Sequence, residues 1–164
     1  MAIANDGYHL AQVNIARLLA PLDDPRLEEF VRRLPEINAL AEQSPGFVWR
    51  LQTEYGDATA INAFNDPQLI VNMSVWESIE DLRAFVFSSE HLPVMKKRGQ
   101  WFEKHQAIYF AMWWIAAGEL PTIEQAQKRL AFLQAHGDSP YAFTWRKSFS
   151  PGVSHAMLPS GESA

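Results

Sequence analysis

The chain has 164 residues and a formal net charge of -5, with 48% hydrophobic residues, 12% aromatic residues and no cysteine. A chain of this length is typical of one domain with a full hydrophobic core. The absence of cysteine excludes disulfides, a thiolate nucleophile and cysteine-ligated metals, and the acidic balance argues against a nucleic-acid surface. Six tryptophans and ten phenylalanines are available to fill a core, a subunit interface or a pocket.

The two ends of the chain predict a cytoplasmic protein with one folded domain. Residues 1–7 have no basic segment and no long apolar stretch, so they do not resemble a secretion signal. The most apolar stretch, residues 107–117, is too short for a membrane helix, which requires roughly 20 residues. We expect a flexible N-terminus over 1–7, a single domain over 8–149, and a flexible tail over 150–164 that is rich in Ser, Pro and Gly.

The first elements in chain order are a strand and a helix. Residues 8–16 alternate in polarity, which predicts a strand. Asp24, followed by a proline, is typical of a helix start, and the apolar residues over 27–41 have helical spacing. Pro35 falls inside that pattern and predicts a kink or a break.

Two further strands and a helix follow. Residues 47–52 and 69–77 read as strands, separated by the polar segment 53–68. A loop of that length is either a lid over a site or an ordinary connection. Ser78, with Asp81 three residues later, predicts the cap of the next helix.

The last third of the chain continues the alternation of helices and strands. A second helical piece is expected over 90–104, and residues 107–116 form a strongly apolar fourth strand. Thr122 and Gln125 form a capping box that opens another helix, which ends at a glycine. A short fifth strand is expected over 143–149.

This order of elements predicts an α+β fold with a ferredoxin-like antiparallel sheet, helices on one face, and an extra C-terminal helix and strand. The other face of such a sheet has to be covered. We expect that face to carry Leu10, Gln12, Asn14, Asn72, Ser74, Trp76 and part of the Trp113–Trp114 pair. A second copy of the sheet would cover it and form a barrel with a small-molecule cavity in each half.

Five segments carry a resemblance to a known superfamily. They are SPGFVWR (44–50), LIVNMSVWE (69–77), HLPVMKKR (91–98) with WFE (101–103), MWWI (112–115) with PT (121–122), and HG (136–137) with YAFTW (141–145). With them the chain resembles the dimeric α/β-barrel superfamily, which includes the antibiotic-biosynthesis monooxygenases. It is most similar to a bacterial branch of unknown function. The resemblance implies a homodimer and a superfamily of cofactor-free oxygenases, isomerases, dehydratases and haem enzymes.

Three residues, His91, Asn72 and Asn14, are candidates for the chemical step, and Ser74 and Gln12 are candidates for binding the substrate beside them. His91 lies at a predicted helix start, where it is either a general base or a structural histidine. Asn72 and Asn14 would stabilise an enolate-like oxyanion, with Ser74 and Gln12 beside them. The alternative for these polar residues is hydrogen bonding at a subunit interface.

Aromatic and basic residues are candidates for substrate binding. Trp49, Trp76 and Trp114 would stack on an aromatic substrate, although core packing explains large residues as well. Arg98 shares a helical face with His91. Arg50 and Arg146 are expected either to bind a carboxylate or to form ion pairs.

Three functions therefore remain open. The first is a small enzyme that resembles the cofactor-free monooxygenases, or an isomerase or cyclase, acting on an apolar aromatic or polyketide-type molecule. The second is a non-catalytic protein that binds such a molecule. The third is a haem protein that uses either His91 or Met95 as a ligand. No His-Glu-x-x-His motif is present, so no metal site is predicted, and no membrane or nucleic-acid partner is expected.

Overall fold

One antiparallel sheet of four strands organises the computed structural model, which describes residues 7–21, 23–52, 69–88, 96–104 and 109–151. Its strands are β1 (Tyr8–Arg17), β2 (Phe47–Arg50), β3 (Leu69–Trp76) and β4 (Phe110–Ala116). They lie in the order β2-β3-β1-β4, with every neighbouring pair antiparallel. The loop predicted over 53–68 and nearly all of the two predicted flexible ends lie outside the described residues.

The described residues contain three helices beside the sheet: α1 (Glu28–Gln43), which follows a 3-10 turn at Pro25–Leu27, α2 (Ile79–Val86) and α3 (Ile123–His136). The predicted caps are present. The Ser78 Oγ accepts from the Asp81 N–H at 3.0 Å. Thr122 and Gln125 exchange hydrogen bonds of 3.0 and 3.1 Å in a capping box. Within the described ranges no helix has the length and apolar character needed to cross a membrane.

The predicted fold class is confirmed. The order β1-α1-β2-β3-α2-β4 with this strand arrangement is an α+β, ferredoxin-like fold, and α3 is the extra C-terminal helix.

The two faces of the sheet are both covered within the chain. On one face Leu10, Trp76 and Met112 pack with Ala41 of α1 and Leu82 of α2. On the other face the apolar residues of the strands pack with α3. That cluster consists of Ala11, Val13, Val71, Met73, Val75, Ala111 and Trp113 with Ala126, Leu130 and Leu133.

This arrangement corrects the expected role of the mixed face. The alternation correctly grouped Leu10, Gln12 and Trp76 on one face, but α1 and α2 of the same chain cover that face, and no second copy is needed there. The strand pattern identifies which residues share a face and does not identify which helices pack on it.

The structure departs from three local expectations to different degrees. Helix α1 continues through Pro35, so the alternative of a break is excluded, and because Pro35 is exposed, water can reach the carbonyl that loses its helical partner. Of the helix predicted over 90–104, residues 90–95 lie outside the described residues; Lys96 is helical, a 3-10 turn follows at Arg98–Gln100, and Phe102 forms a bridge with Leu18. In place of the fifth strand predicted over 143–149 there are two isolated bridges, Met112 to Phe143 and Thr144 to Lys147. Beyond Phe143 the chain turns, because the Asp138 carboxylate accepts from the Thr144 N–H at 2.6 Å.

Candidate functional site

A band of polar residues crosses the face of the sheet that α1 and α2 cover. Asn72 of β3 lies opposite Asn14 of β1, and in the next row Ser74 lies opposite Gln12. We call these four residues the polar band. On one side of it lies the apolar cluster around Leu10. On its other side lies a separate apolar cluster formed by Ile70 with Leu18, Ala20, Leu27, Phe30 and Trp101. The band therefore separates two hydrophobic cores on one sheet face.

Gln12 is the centre of the hydrogen bonds in this band. Its Nε2 donates to the Asn72 Oδ1 at 2.8 Å and to the Ser74 Oγ at 2.7 Å. The Trp76 Nε1 donates to the same Ser74 Oγ at 2.8 Å. Gln12 and Ser74 are only 4% and 7% exposed, so these bonds hold both side chains in place within the protein interior.

These hydrogen bonds use the oxygen atoms of Asn72 and Ser74 as acceptors and leave their N–H and O–H groups as donors. A serine hydroxyl has two lone pairs and one proton, and both lone pairs of Ser74 receive an N–H. Ser74 therefore has only its proton left to offer. The Asn72 oxygen is bound by Gln12, which turns the two N–H groups of that amide away from Gln12, and the Asn72 side chain is exposed. The exposed Asn72 amide is suited to an incoming oxygen atom, and the Ser74 hydroxyl is a buried donor in the next row.

Trp76 contributes to the site through its indole N–H. Its ring is 1% exposed, stacks on Phe85 at a centroid distance of 5.3 Å and meets the edge of Phe47 at 5.5 Å. Trp114 lies on the same face, beyond Leu10, and its Nε1 donates to the Phe149 carbonyl at 2.7 Å. The rings of both tryptophans are thus engaged by protein, with Trp114 half-buried.

The structure does not bring every candidate residue together. Trp49 packs with the cluster on the opposite face of the sheet. The Arg98 guanidinium lies over the rings of Phe102 and Tyr109, at 5.9 and 5.1 Å from their centroids. Asn14 joins the band by register and is half-buried. His91 lies outside the described residues, so its role as a base stays a prediction.

Arg50 was expected either to bind a carboxylate or to form an ion pair. It lies at the end of the row that contains Ser74 and Gln12. A simple strand would place residues 47 and 50 on opposite faces. The register shifts between Phe47 and Trp49, so Phe47 lies opposite Trp76 and Arg50 lies opposite Ser74. This irregularity has no signature in the sequence that a period-two pattern could reveal.

The carboxylates with shifted pKa values lie near the start of α1. The Lys97 ammonium donates to Glu29 at 2.7 Å and lowers the pKa of that carboxyl, with a smaller contribution from Arg33. Arg26 lowers the pKa of Asp24 in the same way.

In the described ranges, no three His, Asp or Glu side chains are grouped to hold a metal ion. His91 and Met95, on which the haem alternative depends, are outside those ranges.

Comparison with solved structures found proteins of similar fold. A "putative antibiotic biosynthesis monooxygenase" from Nitrosomonas europaea is 14% identical, with 73% of this chain and 95% of that chain covered and a TM-score of 0.44. SnoaB, a cofactor-independent oxygenase from Streptomyces nogalater, is 16% identical, with coverage of 68% and 95% and a TM-score of 0.43. A conserved protein from Methanosarcina mazei is 9% identical, with coverage of 69% and 96% and a TM-score of 0.46.

At these identities and TM-scores the likenesses carry no argument about a reaction or a substrate. The search of curated proteins found no match. The family model described as "Domain of unknown function (DUF3291)" matches residues 9–157, nearly the whole chain. The chain therefore belongs to the DUF3291 family.

Proposed function

We propose that the polar band binds the oxygen of an apolar aromatic or polyketide-type small molecule, and that the protein is a small enzyme of the cofactor-free monooxygenase kind. The observation that supports this is the hydrogen-bond order around Gln12, which leaves the Asn72 amide and the Ser74 hydroxyl as donors. Donors fixed before the substrate arrives stabilise a developing negative charge without a cost of reorganisation.

The surroundings of the band favour an aromatic ligand. The half-buried Phe110 lies across from Asn14, and its ring stacks on Trp145 at a centroid distance of 5.5 Å. A ligand ring packed beside Phe110 would bring its phenolic or enolic oxygen toward the Asn72 amide. Ser74, in the next row of β3, is the second donor that such an oxygen would meet.

The reaction that this site would promote needs no group beyond substrate and dioxygen. A ring methylene that is conjugated with a carbonyl through the fused aromatic rings loses a proton and forms an enolate, which supplies electrons to dioxygen. One oxygen atom becomes the new carbonyl, and the other leaves as water with the two hydrogens of the methylene. The Asn72 amide would hold the enolate oxygen, and His91 remains the predicted base for the first proton.

Anthrone is a suitable probe because its enol form is a phenol. We expect the purified protein to consume dioxygen with anthrone and to release anthraquinone, measured with an oxygen electrode and by mass spectrometry. Asn72→Ala removes one oxyanion donor and should lower kcat roughly 100-fold or more. Because Asn72→Ala also removes the acceptor of one Gln12 N–H, we expect the free energy of unfolding to fall by about 1 kcal/mol, and turnover is measured well below the unfolding temperature of the variant.

Gln43→Ala is the matched control, since Gln43 is an exposed amide at the end of α1. It should leave the turnover of anthrone unchanged. Equal turnover in wild type and Asn72→Ala would exclude Asn72 from the reaction. If anthrone quenches the tryptophan fluorescence of wild type but not of Asn72→Ala, and is recovered unchanged, the protein binds the ligand without converting it and is not an enzyme for it.

A further inference from the structure

Arg50 extends the polar band to the edge of the sheet. Its register partner is Ser74, which in turn lies opposite Gln12. Val48, in the stretch where the register shifts, is 37% exposed, while Phe47 remains packed against Trp76. Bulges of this kind redirect side chains next to functional sites. Here the irregular stretch turns an arginine toward the face that carries the donors.

The Arg50 guanidinium is poorly satisfied for so buried a group. The side chain is 13% exposed, and its Nε is buried without a hydrogen-bond partner. Its Nη2 lies 3.5 Å from the Glu42 Oε1, and the Glu42 side chain is 48% exposed. A single long contact to a solvated carboxylate does not offset the burial of several guanidinium donors. A planar guanidinium is matched best by a carboxylate that accepts two parallel N–H groups.

We infer that Arg50 recognises a carboxylate on the ligand, so that the substrate class is aromatic hydroxy acids or keto acids rather than neutral aromatics. This inference rests on the proposed function, because the same ligand places its phenolic oxygen on Asn72. Arg50 and Asn72 are diagonal neighbours on adjacent strands, with Cβ atoms about 7–8 Å apart. A fused aromatic ring system spans that separation between its hydroxyl and its carboxylate.

The test compares 6-hydroxy-2-naphthoate, its methyl ester and 2-naphthol by tryptophan-fluorescence titration of the full chain. We expect the carboxylate to bind wild type roughly tenfold or more tightly than the ester. Arg50→Gln should abolish that preference and leave 2-naphthol binding unchanged. Arg50→Lys, which keeps the charge and loses the planar fork, should retain only part of it.

Glu42→Gln separates recognition from a structural ion pair. If Arg50 serves the ligand, this variant should bind the carboxylate as tightly as wild type or more tightly, because a competing carboxylate is gone. If Arg50 serves Glu42, both Arg50→Gln and Glu42→Gln should lower the unfolding temperature equally and leave the ligand preference unchanged, which would overturn the inference.

The two proposals fail in different ways. If the wild-type protein binds none of the three compounds, the proposed function is refuted together with the inference. Binding of 2-naphthol that depends on Asn72, without any preference for the carboxylate, would refute only the role of Arg50.

Discussion

Gln12 is the residue on which the order of the polar band depends, since it holds both Asn72 and Ser74. Gln12→Met keeps the size of the side chain and removes both N–H donors. The Asn72 and Ser74 oxygens then each lose a partner, and we expect the free energy of unfolding to fall by about 1–3 kcal/mol. Urea unfolding measures this. A change as small as that of the exposed control Gln43→Met would show that the bonds contribute nothing to stability.

Gly46 lies at a position where the backbone conformation and a neighbouring side chain both require glycine. It has a φ of 81°, and a Cβ built there would overlap the Asp81 side chain. The Ser78 hydroxyl donates to the Asp81 carboxylate at 2.8 Å, so moving this side chain away would break that hydrogen bond. Gly46→Ala combines strain with a clash, so we expect a loss of roughly 2–3 kcal/mol or more.

Gly118 provides the matched comparison for that substitution. Its φ is 94°, and a Cβ there would meet open space. Gly118→Ala therefore carries the strain alone and should cost about 1 kcal/mol by thermal or urea unfolding. If the two variants were equally stable, the contact with Asp81 would have no effect.

At the scale of elements, Glu29 joins the first turn of α1 to the segment that contains the 3-10 turn Arg98–Gln100. It accepts from Lys97 at 2.7 Å, and it pairs with Arg33 one turn later in α1 at 3.0 Å. The pKa of Glu29 is therefore lower in the folded chain than in the unfolded chain. Its contribution to stability is present above the unfolded pKa of about 4.3 and is lost as the pH falls through the folded value.

Glu29→Gln removes that pH dependence. We expect the variant to lose less stability than wild type between neutral pH and pH values below about 4, as measured by urea unfolding at a series of pH values. Glu28→Gln changes an exposed neighbouring carboxylate and should follow the wild-type profile. A Glu29→Gln profile that runs parallel to wild type throughout would contradict the assignment.

Elements with a local cause were predictable from the sequence. The caps at Ser78 and Thr122 depend on side chains three residues apart, and both are present. The strands show their alternation directly. The irregularity in β2 and the bridge at Phe143 depend on contacts with distant segments, so no local pattern could reveal them. Of the candidate site, the sequence grouped Asn14, Asn72, Ser74 and Gln12 correctly and missed the helices that cover them.

At the scale of the whole molecule, the predicted homodimer rests on the resemblance alone. The face assigned to the second copy packs against α1 and α2, and α3 lies on the opposite face. If the chain nevertheless forms a dimer, light scattering should return about twice the chain mass of 18.6 kDa. A mass near 18.6 kDa over a range of protein concentrations would refute the dimer.

The central position of β1 in the sheet has a consequence for folding during synthesis. Asn14 pairs with Asn72 on one side and with Phe110 on the other, roughly 60 and 100 residues later in the chain. Each closure costs chain entropy before any pairing can offset it. During synthesis the first strand leaves the ribosome early, with Leu10 and Val13 still uncovered. The sheet is complete only after β4 has been synthesised, so the apolar side chains of β1 stay exposed until late in synthesis.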